Sequence, residues 1–317
     1  MANEGAAPQA QAKYGYKTNL WNDWCPGCGD FGILASVQNA LQQLGIDPLS
    51  MVFVTGIGCS GKTSHYVNVT GVHTLHGRAL PFAMGIKLAN PKLKVVLSVG
   101  DGDQLGIGAG HYVAMGRRNV PLTLILHNNG VYGLTKGQAS PTLEKGEKVK
   151  SIPHPNSTEG LNPVLLALSC GYTFVARAFS YDVKGLIEII KRAMEHNGSA
   201  MIDVLQPCVT YNDVNTKEWY QQRIYDLAST GYDGVVKSAD KSEAKRKLSD
   251  AINRALEFGD KIPLGVFYQN EQAGSFIEEL GKELKDYPDL NPATERIEKD
   301  SVGLTDISAI LAKLAIA

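Results

Sequence analysis

Two groups of side chains in this sequence are suited to holding metal, and each is suited to a different kind. Cys25, Cys28, Cys59 and Cys208 are soft sulfur ligands, and a set of four fits either a 4Fe-4S cluster or a structural zinc ion. Cys25-Pro26-Gly27-Cys28 offers two thiols on one tight loop, while Cys59 and Cys208 stand alone. Zinc is usually held by two paired Cys-x-x-Cys knuckles, so this spacing favours iron and sulfur. The second group is Gly100-Asp101-Gly102 followed, 25 residues on, by Asn128-Asn129-Gly130-Val131-Tyr132. A carboxylate and a carboxamide oxygen are hard ligands. Mg²⁺ accepts few of these from protein and keeps positions for phosphate oxygens and water. Gly100 and Gly102 let the backbone approach a diphosphate. A one-electron carrier beside an organic cofactor points to redox chemistry on a carbon skeleton. Cys170, among apolar neighbours, reads as a small buried hydrophobe.

Residues so far apart meet only if the fold brings them together. Short apolar, β-branched runs at 51–55, 94–99, 121–127, 172–178 and 200–205 predict strands buried on both faces. Helical segments are expected between them at 31–44, 80–90, 104–118, 163–169 and 182–196. In the last, Val183, Leu186, Ile187, Ile190 and Met194 share one face behind an Asp182 N-cap. The alternation predicts an α/β fold, a doubly wound, mostly parallel sheet. Cys59, Asp101, Asn129 and Cys208 each follow a predicted strand, which puts all four at the carboxyl edge, where such sheets bind ligands. Residues 1–20 read as a flexible tail and 21–210 as the cofactor domain. Residues 211–317 read as a C-terminal α/β extension packing on the core and on a partner. Within it a helix is expected over 242–258, a strand over 264–268 and a last helix over 305–316.

Composition removes other classes. A net charge of −1, with both signs interspersed, lacks the basic footprint of nucleic-acid binding. No apolar run is long enough for a membrane span, and the start carries no cationic, apolar leader; a cytoplasmic location is expected. Five scattered cysteines suit a reducing compartment better than a disulfide framework. Gly56-Ile57-Gly58-Cys59-Ser60-Gly61-Lys62-Thr63 satisfies the P-loop pattern, which makes an ATPase with structural zinc the rival reading. Against it, 64–75 is rich in His, Val, Thr, Asn and Gly and is a poor phosphate-binding helix.

The two hard-ligand segments, at this spacing, resemble the thiamine diphosphate motif of a broad superfamily of decarboxylases, transketolases and oxidoreductases. In that pattern Asp101, Asn129 and the Val131 carbonyl hold Mg²⁺. Most of 24–210 is similar to the beta subunit of 2-oxoacid:ferredoxin oxidoreductase, in the two-subunit, broad-specificity archaeal form. The similarity is carried by 24–30, 56–62, His76-Gly77-Arg78-Ala79-Leu80-Pro81, 100–103, His111, 117–119, 128–138, Ser140-Pro141-Thr142 and Gln206-Pro207-Cys208.

The resemblance implies a 4Fe-4S cluster on Cys25, Cys28, Cys59 and Cys208. It implies thiamine diphosphate bordered by Gly58, Cys59, His76, Gly100, Asp101, Gly102, Asp103, Asn129, Val131, Gly133 and Leu134. Lys62, Leu134 and Lys136 are the expected substrate-reading residues. The implied reaction converts a 2-oxoacid (pyruvate, 2-oxobutyrate or 2-oxoglutarate) and coenzyme A to acyl-CoA and CO₂, with electrons passed to ferredoxin. The glutamate that activates the cofactor's pyrimidine is missing here, which implies an alpha subunit with the pyrimidine-binding and coenzyme A-binding domains. A second alternative is a non-catalytic electron-transfer subunit.

Overall fold

The computed structural model describes residues 14–284, 286–289, 291–304 and 306–314. The apolar runs form one sheet because their side chains alternate between two hydrophobic layers. In β1 (Met51–Thr55), Val52 and Val54 face one layer, while Met51 and Phe53 face the other. Beyond it lie β2 (Thr70–His73), β3 (Lys94–Gly100) and β4 (Thr123–Asn128), then a small hairpin of β5 (Val131–Tyr132) and β6 (Gln138–Ala139). β7 (Phe174–Phe179) and β8 (Ala200–Leu205) complete the parallel set. Val95, Leu97 and Val99 of β3 repeat the alternation against Val96, as do Leu124 and Leu126 of β4 against Ile125. Each fully buried Val, Leu or Ile contributes about 1.5–3 kcal/mol relative to exposure, so these layers dominate the stability.

Helices cover both faces. On one face α1 (Asp30–Leu44) packs with a later helix of 13 residues, Val183–Glu195; on the other lie most of the helices between them in sequence. In order these are α2 (Thr63–Tyr66), α3 (Ala79–Ala89), α4 (Ala109–Arg118) and α5 (Pro163–Cys170), which makes Val183–Glu195 α6. Asp182 caps α6 by accepting from the Gly185 N–H at 3.1 Å. α7 (Lys217–Gln221), α8 (Lys241–Ala255) and α9 (Phe276–Glu283) follow.

With β9 (Ile224–Asp226) set aside, the order across the sheet is β10 (Val235–Val236), β11 (Ile262–Asn270), β7, β8, β4, β3, β1, β2. From β2 to β7 every neighbouring pair is parallel. Winding reverses at β1, whose sequence successors β2 and β3 lie on opposite sides of it, and a crevice opens there at the carboxyl ends. β2 was not expected from the sequence: it is an edge strand, exposed along most of its length, and has no apolar run to announce it. β11 is longer than the expected 264–268 and runs antiparallel to β7. The region after 210 thus adds strands to the same sheet.

Because β11 runs backwards, it delivers the following chain to the amino-terminal edge. There Asn270 N–H reaches the Thr173 carbonyl at 2.8 Å, Phe276 N–H the Asn119 carbonyl at 3.0 Å and Ala293 N–H the Ala89 carbonyl at 3.0 Å. Residues 1–13 of the expected tail lie outside the described residues, and order begins ahead of Trp21. Tyr16 is buried and its carbonyl accepts from Asn68 N–H at 2.8 Å. The last described helix is Ser308–Leu314, with Ile310, Leu311 and Leu314 exposed; positions 305, 315 and 316 of the expected helix lie outside the described residues. Among the described residues no helix is long and apolar enough to cross a membrane.

Candidate functional site

A cleft of about 170 Å³ opens at the carboxyl ends of β1, β3 and β4. Its walls include Gly58, Cys59, His76, Gly100, Asp101, Gly102, Asp103, Asn129, Val131, Gly133 and Leu134, together with His127 and Tyr132. The chain turns sharply at the end of β3. Asp101 caps a turn of π-helix (Gly102–Ile107), a local widening often found at functional sites. Gly102 has to be glycine, since a Cβ there would lie 2.4 Å from the Tyr132 ring.

Asp101 is buried and its carboxylate organises the second segment. Oδ2 accepts from Gly130 N–H at 2.9 Å, from Ser140 Oγ at 2.6 Å and from Thr142 Oγ1; Oδ1 accepts from Gly102 N–H at 2.9 Å. The turn at 129–131 is thereby fixed over the end of β3. Asn129 Oδ1 accepts from Val131 N–H at 3.0 Å, and its Nδ2 donates to Gln206 Oε1 at 2.7 Å. Burial pushes the Asp101 and Asp103 carboxyls up, opposed by these hydrogen bonds at Asp101 and by Gly77 N–H and His76 at Asp103. Asp101 and Asn129 thus bring side-chain oxygens from two segments to one cleft, and burial penalises the carboxylate's charge unless a positive charge offsets it.

The thiols lie alongside. Cys59 lines the cleft, and a Cβ on Gly133 would be 3.4 Å from its sulfur. Cys28, Cys59 and Cys208 are partly buried and Cys25 is exposed, and the four fall within one another's electrostatic reach. Burial, then the Asp30 carboxylate, pushes Cys28 and Cys59 up, Cys59 to about 12; burial likewise raises Cys208. Thiols held this way stay protonated and uncharged at neutral pH unless a metal takes the proton's place. Among the described residues no group of three or more His, Cys, Asp or Glu is drawn close enough to hold a single metal ion.

Two residues not singled out from the sequence connect these parts. Asp30, buried at the start of α1, accepts from His127 Nδ1 at 2.7 Å, and His127 Nε2 contacts Ser98 Oγ at 2.6 Å. The signal available was a histidine at the buried end of a strand, directly before Asn128. Other expected residues fall elsewhere. Lys62 pairs with Asp23 at 2.6 Å and is not among the cleft-lining residues, nor is Lys136, which is exposed in the left-handed region. Arg78 and His111 meet each other at 2.7 Å.

Comparisons with known proteins agree with this geometry. The family described as "Thiamine pyrophosphate enzyme, C-terminal TPP binding domain" matches residues 56–204, and the family of the C-terminal region of the pyruvate ferredoxin oxidoreductase beta subunit matches 208–285. The 2-oxoacid:ferredoxin oxidoreductase subunit beta of Saccharolobus solfataricus is 57% identical over 294 residues, covering 92% of this chain and 96% of the relative. This chain belongs to the 2-oxoacid:ferredoxin oxidoreductase beta-subunit family. Subunit beta of the oxidoreductase 1 of Aeropyrum pernix is 54% identical over 302 residues, covering 95% of this chain and 92% of its own. Among solved structures, the 2-oxoglutarate:ferredoxin oxidoreductase from Magnetococcus marinus, with 2-oxoglutarate, coenzyme A and succinyl-CoA bound, superposes with a TM-score of 0.80. It is 35% identical and covers 95% of both chains. Membership in the oxidoreductase family removes the ATPase reading. The P-loop-like residues lie within the thiamine pyrophosphate match, and after Lys62 the chain makes one turn, α2, and then β2.

Proposed function

We propose that this chain works with an alpha subunit to oxidise 2-oxoacids. A 2-oxoacid, coenzyme A and two oxidised ferredoxins give acyl-CoA, CO₂, a proton and two reduced ferredoxins. The observation that carries this reading is that Cys59 lines the same cleft as Asp101 and Asn129, so a cluster thiol and the hard-ligand site share a wall. When bound, thiamine diphosphate supplies the nucleophile and electron sink for decarboxylation, and a 4Fe-4S cluster supplies single-electron steps.

The chain's own residues have distinct tasks in this proposal. Asp101, Asn129 and the Val131 carbonyl hold Mg²⁺, and Gly100 and Gly102 leave room for the diphosphate. Cys25, Cys28, Cys59 and Cys208 hold the cluster. Gly58, His76, Asp103, Gly133 and Leu134 border the organic cofactor. Leu134 also meets substrate at the cleft, while Lys62 and Lys136, a few residues from Cys59 and Leu134, read the substrate's carboxylate at its approach. The alpha subunit brings the pyrimidine-activating glutamate and the coenzyme A contacts.

The test is anaerobic purification of the complex with its alpha subunit. Expected are broad visible absorption, iron and labile sulfide in cluster stoichiometry, bound thiamine diphosphate, and ferredoxin reduction that needs both 2-oxoacid and coenzyme A. The chain without its alpha subunit should not turn over. A colourless zinc protein would end the proposal. A cluster without thiamine diphosphate would favour the electron-transfer alternative.

A further inference from the structure

Gln206 touches both halves of the site. It is 1% exposed, just past β8, and its backbone N–H donates to the Asn128 carbonyl at 2.8 Å. Its side-chain Oε1 accepts from Asn129 Nδ2 at 2.7 Å, while Nε2 donates to Cys28 Sγ at 3.3 Å and to the Pro207 carbonyl at 3.1 Å. Every polar group of the buried carboxamide is therefore engaged. The space beside it is tight: a Cβ on Gly29 would come within 2.9 Å of Gln206 Cγ.

These contacts fix a direction. With both Nε2 hydrogens directed at sulfur and carbonyl, only oxygen faces Asn129. Asn129 must then turn its nitrogen to Gln206 and its oxygen to the turn at 129–131. A thiolate on Cys28 binds the Nε2 hydrogen more strongly than a thiol does, which reinforces the same arrangement.

The geometry points to Gln206 as a positioning residue that couples the two cofactor sites: it donates to the Cys28 sulfur and, through the same amide, sets the direction of the Asn129 carboxamide. The inference rests on the proposed function. An N–H donor on a ligand sulfur favours the more negative, reduced cluster and raises its potential. A correctly turned Asn129 favours Mg²⁺ and thiamine diphosphate.

The test uses the complete complex with two variants and two readouts, the cluster midpoint potential by EPR redox titration and the dissociation constant of thiamine diphosphate. Gln206→Leu removes both contacts. Its cluster equilibrium should move about tenfold toward the oxidised form, about 59 mV for one electron. Its cofactor dissociation constant should rise about tenfold, the value of one hydrogen bond. Gln206→Glu, when ionised, still accepts from Asn129 but gives the sulfur no donor, so it is measured above the pH at which its carboxyl titrates. It should lower the potential while leaving cofactor affinity within about twofold. A native potential in either variant, or native cofactor affinity in Gln206→Leu, overturns the inference. If Gln206→Leu loses its cluster, Gln206→Glu decides, because it preserves volume. A native complex without any cluster would instead overturn the proposed function, and this inference with it.

Discussion

The Asp101 carboxylate and the Gly130 amide lie 2.9 Å apart, oxygen to nitrogen, across 29 residues of sequence. That contact, joined by the Ser140 and Thr142 hydroxyls, ties the end of β3 to the turn after β4. Asp101 is therefore both a proposed cation ligand and the organiser of the segment that supplies the others. Asp101→Ala should lose stability on the order of 3 kcal/mol, because buried donors are left unpaired. It should also lose thiamine diphosphate binding. Urea unfolding and equilibrium dialysis read the two effects, and a variant as stable as the parent would show that the turn holds itself.

Lys62 makes a partly exposed ion pair with Asp23, and such pairs contribute at most about 1 kcal/mol. Lys62→Ala should leave unfolding nearly unchanged, so any altered preference between pyruvate and 2-oxoglutarate reflects recognition. Equal loss of kcat/KM on both would dismiss Lys62 as a specificity residue.

How far the sequence revealed this site follows from the physics of each part. The buried strands of the parallel set, β1, β3, β4, β7 and β8, were legible because burial on both faces demands largely apolar runs, as in Leu124-Ile125-Leu126. Placing Cys59, Asp101 and Asn129 after such strands was enough to bring them to one cleft. β2 was not legible, since an exposed edge strand carries little apolar signal. Nor was the Asp30–His127 contact, which spans 97 residues and obeys no local periodicity. Nor was the pairing of Lys62 with Asp23, which depends on tertiary packing alone.

Arg177 and Asp203 form an ion pair at 2.8 Å with neither side chain accessible, and Asp203 also accepts from Asn128 Nδ2 at 2.9 Å. Arg177→Met strands a buried carboxylate and should cost about 3–5 kcal/mol. Replacing both residues by apolar ones of similar volume should recover much of that loss in urea unfolding. A double variant as unstable as the single would mean that the cost lies in packing.

His196 bridges Thr173, at 2.7 Å, and Glu271, at 2.6 Å, beneath the sheet. Burial outweighs the Glu271 contact and holds its imidazole below the usual histidine range. The unfolded chain, whose histidine titrates near about 6.5, therefore takes up the proton first. Stability from this group is complete above that pH and declines as pH falls below it. His196→Gln should flatten this part of the stability curve in urea titrations at stepped pH; an unchanged slope would assign the acid sensitivity to other groups.

The reversal of β11 has a consequence for how this protein tolerates change. Its return path knits Thr173, Asn119 and Ala89 together on the rim opposite the cleft. A mutational scan should consequently divide by geography: lesions along the knitted border would be rescued by cooling or osmolytes, whereas lesions at the exposed Cys25 would persist in well-folded molecules.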